Sequence, residues 1–299
     1  MKVLRTPDER FENLPDFPFE PHYLNIEDQD LGGLRIHYLD EGPKDAPTIL
    51  CLHGEPSWSF LYRKMIPVFT AAGYRVVAPD LPGFGRSDKP ADRNDYSYSK
   101  HVQWMRDWLE AVGLKNITLL GQDWGGLIGL RLLAENPELF SRFSLSNTGL
   151  PTGDQGMGEA FERWRKFSQK DSEFDCGIIV NQFGRGSLRD EEIAAYRAPF
   201  PSNEYKEGAR QFPMLVPTSP DDPASEDNRK AWSVLMAWEK PALMCFSDKD
   251  PITNGADRPF LKLVPGTRNQ PHITLKGSHF IQEEDGETWA RAVIKWIGE

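Results

Sequence analysis

The sequence predicts an α/β protein: a mostly parallel sheet with helices on both faces and one inserted helical segment. Three observations point there. Over residues 33–150, short apolar runs bounded by turn residues alternate with segments of helical period. From about Gly149 to Asp222 the alternation breaks, and helical pieces, Gly, Pro and charges dominate. After that it resumes and closes on a helix.

Leu34 to Leu39 reads as the first strand of this pattern. Thr48 to His53, "TILCLH", is continuously apolar, as a strand buried on both faces should be. Tyr74 to Pro79, Ile117 to Gly121 and Phe143 to Ser146 read as further strands. In "SYSKHVQWMRDWLEAVGL", Val102, Met105, Trp108, Leu109 and Val112 fall on one face at helical spacing. Leu127 to Glu135 is a second helix. The inserted stretch offers "GEAFERWRKFSQ", "RDEEIAAYRAPFP" and "NEYKEGARQFP" as helical pieces. Then "ASEDNRKAWSVLMAWE" reads as a helix, "PALMCFS" and "HITLKG" as strands, and "EDGETWARAVIKWIG" as the closing helix. The expected division is a main domain of residues 1–148 and 223–299 with a helical cap over 149–222.

Composition narrows the function. With 299 residues the chain has the size for a well-buried core. Its net charge of -10, with no Lys/Arg-rich run, argues against nucleic acid or an anionic membrane as partner. Cys51, Cys176 and Cys245 form a sparse odd set without CxxC, which suits a reducing compartment. The acidic, Pro-rich N-terminus lacks a signal-peptide core, and no apolar stretch is long enough to span a bilayer. A cytoplasmic monomer is expected. The six histidines show no metal-ligand spacing, so no metal is expected.

The chemistry gathers at strand ends. "GQDWGG", residues 121–126, follows the apolar strand 117–121 and precedes a helix. Such a Gly-lined turn presents a side chain away from the backbone, and here that side chain is Asp123. Asp is also a good helix N-cap, so the residue alone decides nothing. "GSHF" places His279 after a strand, and "FSDKDPI" places Asp248 and Asp250 after another. All lie past the C-terminal ends of predicted parallel strands, the edge at which open α/β sheets bind ligands. The order nucleophile, acid, His is that of one large hydrolase group. "HGEP", residues 53–56, ends a strand at the same edge, so the N–H groups of Glu55 and Trp124 are a candidate oxyanion hole. "DLPGFGRSDKP" has GxG without a following Lys-Ser/Thr, which speaks for a structural loop rather than a phosphate loop.

Together the HGEP turn, the DLPGFGRSDKP loop, the GQDWGG elbow, the DKDP turn and the GSHF loop resemble a haloalkane dehalogenase of the α/β-hydrolase fold, over essentially the whole chain. The HG, GxG and GSH motifs mark only the superfamily; the Asp-Trp pair is far more specific. The resemblance implies Asp123 as nucleophile, His279 as base and Asp250, the residue before Pro251, as the acid that orients His279. In the branch this chain most resembles, halide is bound by the Trp after the nucleophile and by one in the cap. Those positions correspond to Trp124 and to Trp164, the one Trp of the insertion. The other main branch places Asn after HG; here Glu55 stands there, with at most a side role in positioning the hydrolytic water. Asn147, after the strand before the cap, cannot replace a carboxylate. The pocket is expected between main domain and cap, lined by Trp124, Phe161, Trp164 and Phe212.

A carboxylate in place of a serine has a chemical rationale. It can attack an sp³ carbon, expel a leaving group and become an alkyl ester. Halide is a weak base and leaves without a proton, and indole N–H groups in a dry pocket can hold it. The implied substrate is a small uncharged haloalkane, with water as cosubstrate, halide as product and no cofactor.

The nearest alternative is an epoxide hydrolase with the same triad, which needs acidic hydroxyls; Tyr196 and Tyr205 lie in the cap. A haloacid-type enzyme needs cations for a substrate carboxylate, and Arg163 and Arg165 flank Trp164. A non-catalytic binding protein on the same fold would show a broken triad.

Overall fold

The computed structural model describes residues 2–170 and 173–298. Among them lie ten strands: β1 (Val3–Leu4), β2 (His22–Asp28), β3 (Gly32–Glu41), β4 (Thr48–Leu52), β5 (Arg75–Pro79), β6 (Lys89–Pro90), β7 (Ile117–Gln122), β8 (Phe140–Ser146), β9 (Ala242–Ser247) and β10 (Ile273–Leu275). Eight form one sheet in the order β10-β9-β8-β7-β4-β5-β3-β2, and β1 pairs with β6 as a small antiparallel ribbon. From β10 to β5 every neighbouring pair is parallel. The parallel strands sit where the apolar runs predict them.

Of the antiparallel edge, β3 contains the strand read at Leu34 to Leu39, and β2 lies outside the sequence reading. β3 runs antiparallel to β5, and β2 antiparallel to β3. Only Ile26 and Asp28 of β2 are buried. A half-wet edge strand mixes polar residues into its period and leaves no apolar run to detect. Asp28 at its end accepts a hydrogen bond from Trp104 Nε1 at 2.6 Å, which ties the hairpin to the helix behind it.

Eleven α-helices complete the described chain: α1 (Ile66–Ala71), α2 (Tyr98–Val112), α3 (Trp124–Glu135), α4 (Glu159–Phe167), α5 (Cys176–Phe183), α6 (Asp190–Arg197), α7 (Glu207–Leu215), α8 (Ser225–Leu235), α9 (Asp257–Leu263), α10 (Ile281–Glu284) and α11 (Gly286–Gly298). The long helix α2 starts where the Ser97 hydroxyl accepts from Lys100 N–H at 3.1 Å and stops at Gly113, whose φ of 71° suits glycine.

Central strands β4 and β7 are buried at every position. Their alternation splits the core in two. Leu50, Leu52 and Leu119 face a layer with Trp104, Met105 and Trp108 of α2. Ile49, Cys51 and Leu120 face the other, with Trp289, Val293 and Trp296 of α11. Each such side chain removed from water is worth about 1.5–3 kcal/mol, so the middle of the sheet is a firm base for its C-terminal edge.

Between β8 and β9 only helical elements lie among the described residues: α4 to α7, then α8. Helix α8 packs back on α3, where Arg131 Nη1 donates to Asn228 Oδ1 at 3.3 Å.

Candidate active site

β7 ends at Gln122 and α3 begins at Trp124, so Asp123 alone makes the turn. Its φ is 52° and its ψ -128°, a conformation that costs a non-glycine residue about 1–3 kcal/mol. Two bonds hold it there: Asp123 N–H donates to Asn147 O at 3.0 Å, and Thr148 Oγ1 donates to Asp123 O at 2.7 Å. The neighbours must lack side chains. A Cβ on Gly125 would stand 1.9 Å from Leu52 O, and one on Gly54 2.4 Å from the Asp123 side chain. The Asp123 carboxylate makes no capping bond to α3; it faces a cavity instead.

Three strand ends meet on this carboxylate. From the turn after β4, Glu55 N–H donates to Asp123 Oδ1 at 2.7 Å. From the loop after β10, His279 Nε2 lies 3.5 Å from Asp123 Oδ2. The other ring nitrogen, Nδ1, is 2.9 Å from Asp250 Oδ2 after β9. Asp250 is also bonded by Ile252 N–H at 2.8 Å and by the Thr253 hydroxyl. Asp248 is elsewhere: it pairs with Lys276 at 3.0 Å and accepts from Gly277 N–H at 3.1 Å. Of the two acids left open on spacing, Asp250 is the one in contact with His279. No bond from Trp124 N–H to the Asp123 carboxylate is found among the described residues, so one of the two expected oxyanion donors is engaged in the resting arrangement.

The electrostatics follow from burial. Burial opposes a charge on His279, but attraction to Asp250 and contacts with both carboxylates outweigh it and raise its pKa to about 10. Burial pulls Asp250 upward, yet His279 and three hydrogen bonds hold it below the usual carboxylate range. Glu55 is buried with Oε1 unpartnered. Burial, then repulsion from Asp123, pushes its carboxyl well above the ordinary range, toward its neutral form.

The cavity has a volume of about 770 Å³. Asp123, Glu55, Trp124, Phe161, Trp164 and His279 all line it. Neither indole, of Trp124 nor of Trp164, donates a hydrogen bond to a described residue. Trp164 is held edge-on by Phe183, centroids 5.2 Å apart.

Phe212 departs from the expectation. It is fully buried behind Trp124, rings stacked at 4.3 Å and 14°, and does not line the cavity. The reason is its helix: α7 lays Phe212 between Trp124, Phe84 and His101, while the next residue, Pro213, reaches the cavity. Sequence reasoning also missed wall residues. Ile179 and Phe183 come from α5, Trp232 from α8 and Phe260 from α9. The apolar run "CGIIVNQF" of α5 was a signal for the first two; nothing local marks the others.

A second layer supports the HGEP turn. His53 Nε2 accepts from Leu81 N–H at 2.9 Å. Buried Asp80 accepts from Ser59 N–H at 2.7 Å and Arg86 N–H at 2.8 Å and pairs with His37 Nδ1 at 2.7 Å. This is the structural part read for the DLPGFGRSDKP loop. No cluster of three or more His, Cys, Asp or Glu that could hold a metal occurs among the described residues.

An Asp–His–Asp set on three strand ends at the C-terminal edge of this sheet defines an α/β hydrolase, and the family model for the alpha/beta hydrolase fold matches residues 47–286. Among curated proteins, a haloalkane dehalogenase of Psychrobacter cryohalolentis is 58% identical over 298 residues, covering 99% of this chain and 98% of that protein. One of Mycolicibacterium paratuberculosis is 51% identical with 99% and 98% covered. A solved structure, described as the tetrameric haloalkane dehalogenase DpaA of Paraglaciecola agarilytica, superposes with a TM-score of 0.90 at 38% identity, covering 100% of this chain and 99% of that one. The chain belongs to the haloalkane dehalogenase family, hydrolases acting on carbon–halide bonds.

Proposed function

We propose that this chain hydrolyses uncharged haloalkanes to an alcohol, halide and a proton, through an alkyl ester on Asp123. One observation carries the reading. The elbow carboxylate shares its cavity with Trp124 and Trp164, neither of whose indole N–H groups bonds to a described residue.

Asp123 Oδ2 attacks the halogen-bearing carbon, the C–X bond breaks, and the halide leaves toward the N–H groups of Trp124 and Trp164. Oδ1 stays on Glu55 N–H. The ester that forms is neutral, so the Asp123 charge that helps hold a proton on His279 is gone. His279 then falls toward its ordinary range, gives its proton to solvent and becomes a base. It removes a proton from a water held by the Glu55 carboxyl, and that water attacks Cγ of the ester. The tetrahedral oxyanion develops on Oδ1, against Glu55 N–H, with Trp124 N–H as the second donor. Collapse releases the alcohol and restores the carboxylate. The departing alkoxide takes the second proton of the attacking water, and His279, left charged as it began, is stabilised by Asp250. Residues 149–222 act as the cap that closes the pocket against water.

The alternatives find less support. Tyr196 hydroxyl is bound to Glu283, and neither Tyr196 nor Tyr205 lines the cavity, so an epoxide alkoxide lacks its acid. Arg163 and Arg165 are also absent from the wall; Arg229, at the wall, is paired with Asp154 at 2.8 Å. A haloacid carboxylate therefore has no free cation to meet. The cavity exceeds what a small haloalkane fills, which extends the proposal to longer chains. No described helix is long and apolar enough to cross a membrane, and the three cysteines are free and buried, which supports the cytoplasmic reading. The tetramer described for the Paraglaciecola relative speaks for self-association rather than the monomer expected from the sequence; sedimentation equilibrium decides between them.

The test is halide release from terminal bromo- and chloroalkanes, with an epoxide alongside and Asp123→Ala as control. Bromide release that vanishes in Asp123→Ala is expected. In His279→Gln, the alkyl-enzyme should accumulate as a covalent mass increase. Diol from the epoxide without halide would hand the function to the epoxide reading.

A further inference from the structure

Asn147 is not part of the triad, yet it is bonded to the segments of all three triad members. It follows β8 with a φ of 43° and is fully buried. Its backbone carbonyl accepts from Asp123 N–H at 3.0 Å. Its Nδ2 donates to Ser278 O at 2.8 Å and to His279 O at 2.9 Å. Its Oδ1 accepts from Ser247 N–H and from Ser247 Oγ, both at 3.0 Å. Ser247 ends β9, three residues before Asp250. The amide orientation is fixed by these partners: carbonyl oxygens meet one end and donors meet the other.

We infer that Asn147 is a positioning residue for the hydrolytic half of the reaction, holding the His279 backbone in register with Asp123 and Asp250. This rests on the triad reading above. An amide with two donors and an acceptor that takes two bonds is needed, and every capacity is used in a site without water access. The His279 backbone has two further ties: His279 O also accepts from Gln122 Nε2 at 3.1 Å at the end of β7, and His279 N–H donates to Phe183 O at 3.0 Å on α5. Asn147 adds a bond from His279 to the end of the acid strand, beside the one that Lys249 N–H makes to Gly277 O at 3.0 Å. Loss of its side chain takes this partner from Ser278 O and from the Ser247 donors, leaves His279 O with Gln122, and frees the base loop to shift. Alkylation asks only for the Asp123 carboxylate, held by Glu55 N–H and its own backbone. Ester hydrolysis asks for His279 within reach of a water. A misplacement on the order of 1 Å costs about 100-fold in rate, and it falls on the second step.

The experiment is rapid-quench kinetics on full-length Asn147→Ser with 1-bromobutane. The expected result is a bromide burst of one per active site at a rate within about 3-fold of wild type, followed by hydrolysis slowed about 10–100-fold. The alkyl-enzyme should be visible by mass. A parallel fall of burst and hydrolysis rates would show a merely structural role and overturn the inference, as would no change in either. If Asn147→Ser does not fold, Ser247→Ala removes one of the amide's bonds; it should slow hydrolysis by a few-fold with the burst intact, and equal slowing of both steps overturns the inference. Failure of the triad reading looks different: wild type would then give no burst at all.

Discussion

Glu55 N–H donates to Asp123 Oδ1 at 2.7 Å, and Glu55, its buried Oε1 without a hydrogen bond to a described residue, lines the same cavity as Asp123. Two carboxyl groups this close cannot both be ionised cheaply in a buried site. Glu55 is the one pushed toward its neutral form, by burial first and by the Asp123 charge second.

That protonation state makes a prediction about isosteres. A neutral acid offers one donor and one acceptor, and so does an amide. Glu55→Gln should keep the hydrolysis rate within about 3-fold, while Glu55→Ala, unable to hold a water, should slow it about 10–100-fold. Single-turnover measurement of ester decay separates the two. If Gln behaves like Ala, the ionised carboxylate is the working form and the neutral-acid account fails.

His279 should titrate far above its ordinary 6.5, near 10, because Asp250 and Asp123 both favour its charged form against the pull of burial. The sign for stability follows. A folded-state pKa raised above the unfolded value contributes fully below about pH 6.5 and is lost as pH rises through about 10. The Tm of wild type should therefore drop between pH 8 and 10.5 by more than that of His279→Gln. Asp123→Asn mimics the neutral ester and should move the His279 titration downward, which ¹⁵N NMR of the ring reads directly. An unmoved titration would remove the switch that makes His279 a base only after alkylation.

The two indoles can be separated from the triad by halide binding alone. Each N–H to a halide in a dry pocket is a charge-assisted bond worth about 1.5–3 kcal/mol. Trp124→Phe and Trp164→Phe should each weaken bromide binding by about 10-fold or more, while circular dichroism stays unchanged. Quenching of the remaining tryptophan fluorescence by bromide measures it. Equal binding in Trp164→Phe would make that residue a packing partner of Phe183 and leave Trp124 alone with the halide.

The catalytic part was legible because chemistry and chain punctuation coincide there. Asp123, Asp250 and His279 each follow an apolar strand at a turn, and the sheet's parallel order brings the three ends together. Strands buried on both faces, such as β4 and β7, declared themselves by continuous apolar runs. What escaped was whatever depends on partners distant in sequence. β2 is held as a strand by β3 and has little apolar signal of its own. Phe212 stands at helical spacing that suits a pocket wall, but only the stack on Trp124 shows that it backs the site. Trp232 and Phe260 reach the cavity from helices after the insertion, which no local pattern connects to it.

One ion cluster ties the insertion to the base loop, and it gives the last prediction. Arg63, fully buried, pairs with Glu192 of α6 at 2.6 Å and with Glu283 of α10, four residues beyond His279; the Tyr196 hydroxyl joins at Glu283. Arg63→Met keeps the bulk but takes the buried cation away from both carboxylates, leaving Glu283 with Lys64 at 2.8 Å and Glu192 with Arg189 at 3.3 Å. Removing one partner of such a set costs about 3–5 kcal/mol, a fall in Tm on the order of 10 °C for a chain of this size. The acid limb should change as well. Burial pulls Glu192 upward, but its bonds to Arg189 and Arg63 prevail and hold it at about 2, below its ordinary 4.5. A depressed carboxylate stabilises above its unfolded pKa and loses that contribution as pH falls through its folded one, here between about 4.5 and 2. Arg63→Met should therefore lose less stability than wild type over that window. Thermal scans of both proteins from pH 7 down to pH 3 check this. An unchanged Tm at pH 7 would mean the cluster's desolvation cancels its attraction, and that packing of α6 on Phe60, not charge, fastens the insertion there.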